Sequence, residues 1–419
     1  MLERPRWLFL LGMGVIFLII ALAEPLGALY QVQPATDIVS VILLRPLPAV
    51  FRMLLASAIG VILLGAAIVM LRRTMETAAL QPQTHLEPTG ERDHVQRGLK
   101  VVAIGGGTGL PSVLRGMKHL TGNLTAIVTV ADNGGSSGRL RRAMGILPPG
   151  DLRNNIAALA DDEDLMTQLF QYRFSSGDLD GHSFGNLFIT ALSDITGSME
   201  QALQETERVL AVQGSVLPAT LDDITLCGEI WHPQDNTLHQ ITGESQITEL
   251  GGRIERVYLQ PPHARAYPKS VQAILAADLV VIGPGSLFTS ILPTLLIDGI
   301  AEAIRASNAL RVYVCNVATQ PGETDGFTVA EHVLALERHV GPRLFHLVVA
   351  NNHFPQENAG ENTHYVLPAD AHHEIVHRYG IVYADLTDTL YPWRHDPTKL
   401  ANVLSAAYAN YQATRQGVA

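Results

Sequence analysis

Cysteine is scarce in this chain of 419 residues: Cys227 and Cys315 are the two it has, with no CxxC pair. That excludes a disulfide framework and a cysteine zinc site, and it fits a reducing compartment. Both thiols have apolar neighbours, which predicts small buried hydrophobes. Positive charge is also in short supply. Lys and Arg number 29 against 40 Asp and Glu, a formal net charge of -11, which argues against a general nucleic-acid binder because backbone phosphates need a basic face. Internal repeats and low-complexity tracts are absent. With 47% of residues apolar, a sizeable core is available.

What the chain does have, near its start, is two long uncharged runs. Trp7 to Ala23 and Met53 to Leu71 are each long enough to cross a hydrocarbon core of roughly 30 Å as a helix. A second run following so closely disfavours a cleaved signal peptide. Arg4 and Arg6 precede the first, Arg72 and Arg73 end the second, and the connecting loop holds Arg45 and Arg52. The bias places both ends in the cytoplasm. Residues 1–73 are therefore predicted to be a membrane anchor. Residues 74–98, broken by Pro82, Pro88 and Gly90, are a linker, and 99–419 are a cytoplasmic domain.

From Leu99, β-like runs alternate with helical ones. Strands are expected at Lys100–Ile104, Leu124–Val130, Ile254–Leu259, Leu279–Ile282, Arg311–Asn316 and Leu344–Val349. Helices are expected through His119 and at Leu152–Leu159, Phe184–Leu192, Met199–Leu210 and Val271–Ala277. Continuous apolar strands separated by helices predict a doubly wound, mostly parallel α/β sheet. The polar stretch Gly214–Gly252 is read as an insertion or antiparallel excursion.

In such folds ligands sit beyond the carboxyl ends of the strands, and the glycine-rich and acidic segments fall there. Gly105, Gly106, Gly107, Thr108 and Gly109 form a turn between the first strand and a helix. Helix N-termini attract anions. No Lys follows the last glycine, so this is not a Walker loop, and Leu110 stands where a dinucleotide fingerprint needs its third glycine. The most informative stretch is ADNGGSSGRLRRAMGILPPGDLRNN, Ala131 to Asn155, with five glycines, two serines and four arginines. Its Gly134, Gly135, Ser136 and Ser137 are read as an anion loop, with Arg139 and Arg153 in support. Asp132 and Asn133 could orient a hydroxyl, hold a metal or act as base, and Asp151 could do so or cap a helix; Asn154 follows it. His182 could contact a ligand or cap, and the Asn186 amide could read a base or sugar. Gly283, Gly285, Ser286, Thr289 and Ser290 repeat the strand, glycine turn, hydroxyl and helix sequence. Two or three such turns predict a diphosphate ligand. Asn316, Asn351 and Asn352 are site residues or turn formers.

These blocks carry a resemblance. GGGTGL, DNGGSSGRLR…PPGDLRN, HSFGN, GSVLPAT (Gly214–Thr220), GES (Gly243–Ser245) and AD…GPGSLFTS occur in the order found in one family. The chain is similar to the gluconeogenesis-factor (YvcK-type) branch of the family that also contains 2-phospho-L-lactate transferase (CofD). The resemblance implies a Rossmann-like domain that binds a nucleotide diphosphate derivative. In the transferase branch, a phospholactyl group moves from a guanosine diphosphate adduct to a deazaflavin, with magnesium. The gluconeogenesis-factor branch binds UDP-sugars, notably UDP-N-acetylglucosamine, and serves cell shape and envelope growth without an established reaction. Transferases carry a DD pair where this chain has Asp132-Asn133, and a PDxD-like motif near Pro148-Pro149-Gly150-Asp151. Both departures favour the regulatory branch, which needs no cofactor, over a transferase using Mg²⁺ at Asp132 and Asp151. Asp132 is therefore expected to read a hydroxyl, with Mg²⁺ as the alternative. A homodimer stays open.

Overall fold

A computed structural model describes residues 98–160, 165–233, 236–356 and 364–417, with isolated positions before residue 98. The chain divides into two units between residues 90 and 91, and every strand named here lies in the second. The two apolar runs proposed to span a membrane lie, apart from those isolated positions, outside the described residues. Among the described residues, no helix is long and apolar enough to cross a membrane.

A seven-stranded sheet organises the second unit. Its strands are β1 (Val101–Gly105), β2 (Leu124–Val128), β3 (Ser215–Pro218), β7 (Leu279–Ile282), β8 (Leu310–Val314), β9 (Leu347–Asn351) and β10 (Gly380–Ala384). The spatial order is β10-β9-β8-β7-β1-β2-β3, and every adjacent pair is parallel. β1 and β7 are buried at every position. That explains their unbroken runs of Val, Ile and Leu: a parallel strand covered on both faces has no polar side to alternate with. From β1 the chain winds outward through β2 to β3, then returns to the centre at β7 and winds the other way. The connections after β1 and β7 leave in opposite directions and open a crevice between them.

Between β3 and β7 the chain makes a separate three-stranded antiparallel sheet of β4 (Thr225–His232), β5 (Thr237–Thr242) and β6 (Arg253–Gln260), in the order β5-β4-β6. The expected excursion is thus present, with its start displaced. Ser215–Pro218 belongs to the main sheet, and Ile254–Leu259 pairs in the small one. After β5, Gly243 (φ 111°) turns the chain into the short helix Glu244–Leu250, which brings Glu244 and Ser245 to the crevice.

Three helices position the glycine motifs. α1 (Leu110–Met117) follows the first glycine turn and buries Leu110, Val113, Leu114 and Met117, a helical stripe facing the core. α2 (Gly135–Met144) ends at Gly145 in the left-handed conformation. α3 (Pro149–Leu159) has Pro at its first position and Asp151 in its first turn.

Candidate functional site

The segment expected to be an anion loop is helical from Gly135. Its serines are consumed in holding the neighbourhood together. Ser136 Oγ accepts from Asn186 Nδ2 at 3.0 Å and faces His182 Nδ1 at 2.9 Å. Ser137 Oγ accepts from the Gly150 amide at 3.0 Å, tying α2 to the start of α3. Both serines are buried. Of the HSFGN motif, Ser183 rather than His182 caps the following helix, Phe184–Thr196, by accepting from the Asn186 amide. Burial and the nearby Arg139 and Arg173 guanidinium groups push the His182 pKa down.

The arginines also face elsewhere. Arg139 donates to Asp180 O (2.8 Å), Arg141 to Asp223 and Ile224 O, and Arg142 to Asn133 O (3.3 Å). Arg153 is buried, donates to Asn154 Oδ1 (2.5 Å), and has its pKa lowered to about 10 by burial and by Arg173. None of these four arginines lines the cavity at the strand ends.

What the fold does bring together is a cavity of about 290 Å³ at the mouth of the β1–β7 crevice. Its wall contains Gly106, Gly107, Thr108 and Gly109 from the first turn, and Gly285, Ser286, Thr289 and Ser290 from the second. Asp132, Asp151, Glu244, Gln320 and Glu323 complete it. Of the predicted residues, Gly105, Asn133, Gly134, Gly135, Ser136, Ser137, Arg139, Arg153, Asn154, His182, Asn186 and Gly283 are not on this wall. Gly105 and Gly283 stand directly behind the turns, and Asn133 holds the wall from outside. Its Oδ1 accepts from the amide (3.1 Å) and hydroxyl (3.2 Å) of Ser245, which seats Glu244 beside the cavity.

The glycines of the first turn are required by packing as well as by access. A Cβ on Gly107 would lie 2.4 Å from Asp151 Oδ1 and 2.8 Å from Asp151 Cα; one on Gly109 would lie 2.4 Å from Pro284 O. The two turns therefore touch. Gly283-Pro284 is a cis peptide, and Asn316 grips Gly285 from below. Its Oδ1 accepts from the Gly285 amide (3.0 Å) and its Nδ2 donates to the Gly285 carbonyl (2.9 Å). Asn155, not anticipated from the sequence, donates to Gly106 O (3.1 Å) and to Asp151 O (2.8 Å). Asn351 is a turn former, accepting from the Leu386 and His353 amides.

Four carboxylates share this space and, among the described residues, no Lys or Arg stands on its wall. Asp132 Oδ1 accepts from the Gly134 amide (2.8 Å). The Asp151 pKa is pushed up to about 7, by desolvation first and by the Asp132 charge second, against an opposing bond from the Gly107 amide. Desolvation and the charges of Asp132, Asp151 and Glu323 push Glu244 to about 8. Glu323 is buried and raised as well, although Ser286 Oγ (2.6 and 2.7 Å), Thr289 Oγ1 (3.1 Å) and the Phe288 amide (3.3 Å) all donate to it. Glu244 and Glu323 were missed because an isolated Glu in a polar stretch resembles any solvated surface acid. The GES block around Glu244 was the available signal.

All four acids, with the hydroxyls, are hard oxygen donors of the kind that suits Mg²⁺. Among the described residues no group of three His, Cys, Asp or Glu is arranged to hold a metal ion. Phosphate oxygens or water would have to complete the coordination, the usual arrangement for Mg²⁺ on a nucleotide.

The family described as 2-phospho-L-lactate transferase CofD matches residues 101–384, the span that holds the sheet and the cavity. This chain belongs to that family. It is 49% identical over 254 residues to the gluconeogenesis factor of Bacillus subtilis (strain 168), covering 60% of this chain and 78% of that one. With the gluconeogenesis factor of Halalkalibacterium halodurans it shares 51% identity over 242 residues, 58% and 74% of the two chains. A crystal structure of a UPF0052 family member from Bacillus halodurans aligns with TM-score 0.69 and 42% identity. That alignment covers 74% of this chain and 99% of the other.

Proposed function

We propose that this protein is a nucleotide-sugar sensor of the gluconeogenesis-factor type. It binds the diphosphate of a UDP-sugar, UDP-N-acetylglucosamine first among them, between the glycine turns after β1 and β7. The observation that carries this reading is the cavity those turns enclose at the point where the strand order reverses. Amides and hydroxyls approach a ligand there without side-chain obstruction. Asp132 or Asp151 would contact a divalent cation held mainly by the diphosphate oxygens and water, which when bound neutralises charge between the carboxylates and the diphosphate. The departures at Asn133 and Pro149 from the transferase pattern support binding without turnover. The role extends to cell shape and to the balance of envelope and central carbon metabolism, with the domain tethered to the cytoplasmic membrane by the two N-terminal runs.

A second reading, transfer of a phosphorus-containing group, is favoured by one observation. Asp151, with a pKa near 7 beside Asp132, is poised as a general base near neutral pH. Incubating the full-length protein with UDP-N-acetylglucosamine, Mg²⁺ and a range of acceptor alcohols separates the two. Intact nucleotide sugar recovered by mass spectrometry supports the sensor, and released UMP with the sugar phosphate on the acceptor supports the enzyme.

A further inference from the structure

A second hollow, of about 360 Å³, adjoins the acidic cavity and shares Thr108, Gly109, Gly285, Ser286 and Gln320 with it. The two are chambers of one crevice with opposite chemistry. No Asp or Glu among the described residues lines the second, and its wall includes Pro284, Val317, Pro321 and the indole of Trp393. Trp393 is 37% exposed, a large aromatic ring standing at a cavity mouth instead of in the core.

The loop that carries Trp393 is firmly rooted. His395 Nε2 donates to the Cys315 carbonyl at the end of β8 (3.1 Å), and burial drives the His395 pKa down to about 4, so the ring stays neutral and keeps this role. The Asp396 amide donates to Leu386 O (2.8 Å) and the Asp388 amide to Arg394 O (3.0 Å), closing the base of the loop. Above it, Tyr391 meets the Trp393 ring edge-on, centroids 5.6 Å apart. The Arg394 guanidinium lies over the Tyr391 ring, 5.5 Å from its centroid. Trp393 and Arg394 are thus presented to the crevice by a braced platform.

We propose that the Trp393 chamber is the base subsite of the crevice: Trp393 stacks on the planar heteroaromatic base of the nucleotide while Arg394 donates to a carbonyl on its edge. This rests on the nucleotide reading above. A π-face with a guanidinium beside it matches a flat ring with acceptor oxygens. A sugar ring presents hydroxyls around its rim and needs acceptors to meet them. The carboxylates, the strongest acceptors, line the other chamber; here the neutral Ser112, Thr319 and Gln320 remain, and the Asn316 amide is already spent on both sides of Gly285. Base and diphosphate then occupy adjoining chambers, joined through Thr108, Gly109 and Ser286.

The chain has three tryptophans, so replacing Trp7 and Trp231 with Phe makes Trp393 the sole indole reporter. In that full-length protein, UDP-N-acetylglucosamine and, at higher concentration, uridine quench the fluorescence; N-acetylglucosamine does not. By calorimetry Trp393→Ala weakens UDP-N-acetylglucosamine binding by about tenfold or more, while Trp393→Phe, which keeps a stacking face, retains most of it. A thermal melt checks that both variants fold. Unchanged affinity in Trp393→Ala, or quenching by N-acetylglucosamine and not by uridine, overturns the subsite and leaves the nucleotide reading standing. Absence of UDP-N-acetylglucosamine and uridine binding to the wild-type protein overturns both.

Discussion

At the scale of single residues, Asp151 concentrates the tension in this site. Its carboxyl is desolvated next to Asp132, and its folded pKa near 7 stands well above the ordinary 3.8. A carboxyl that holds its proton more tightly when folded contributes stability that is full below its unfolded pKa. That contribution is lost as pH rises through the folded pKa. Without ligand or divalent cation, the protein is therefore expected to lose thermal stability from about pH 4 to about pH 8, with Glu244, at about 8, extending the decline. Asp151→Asn should raise the melting temperature in chelator at about pH 8 and change it little at about pH 4. Equal shifts at both pH values would count against the crowding of charge described here. Gly107 is a second decisive position. Gly107→Val sets a Cβ against Asp151 Oδ1 and Cα, so it should abolish nucleotide binding and also lower the melting temperature. A stable, non-binding variant would mean that the turn yields more easily than the packing indicates.

At the scale of elements, the helix Phe184–Thr196 and the junction of α2 and α3 form the scaffold behind the cavity. Ser183→Ala removes the N-cap and should cost about 1 kcal/mol of stability in denaturant melts, with nucleotide affinity nearly unchanged. A large loss of affinity would place HSFGN on the ligand after all. Leu114, fully buried on α1, should cost about 2–5 kcal/mol as Leu114→Ala. Elements of this kind were legible in the sequence. The buried strands β1 and β7 read as unbroken apolar runs, and the stripe of α1 has a helical period. β3, β5 and β10 were not, because each is an edge strand without a fully buried apolar run, where pairing partners rather than local pattern decide. The serines and arginines of α2 lie off the cavity wall, and their contacts to neighbouring helices were not legible for a related reason. A hydroxyl or guanidinium that locks two helices looks, in sequence, the same as one that grips phosphate. Position relative to the strand ends does locate the cavity, since both glycine turns, Asp132 and Asp151 stand on its wall.

At the scale of the whole molecule, the doubly wound sheet sets two glycine turns in contact and the antiparallel excursion reaches back to deliver Glu244. On the function proposed above, a site of carboxylates and glycine amides with no Lys or Arg on its described wall would bind a diphosphate with the help of a cation. Divalent-cation affinity should accordingly rise between about pH 6 and about pH 8.5 as Asp151 and Glu244 give up their protons, readable as proton release in calorimetry in buffers of different ionisation enthalpy. The two N-terminal runs predict that the full chain fractionates with membranes, and recovery in the soluble fraction without detergent would contradict that assignment. The central claim is tested most directly by titrating UDP-N-acetylglucosamine into the full-length protein by calorimetry in Mg²⁺, repeated in chelator and with Asp132→Ala. The account requires one site in Mg²⁺, weakened by about tenfold or more, roughly 1.4 kcal/mol, in each of the other two conditions. Binding of the same strength in all three, or no binding in Mg²⁺, would contradict it.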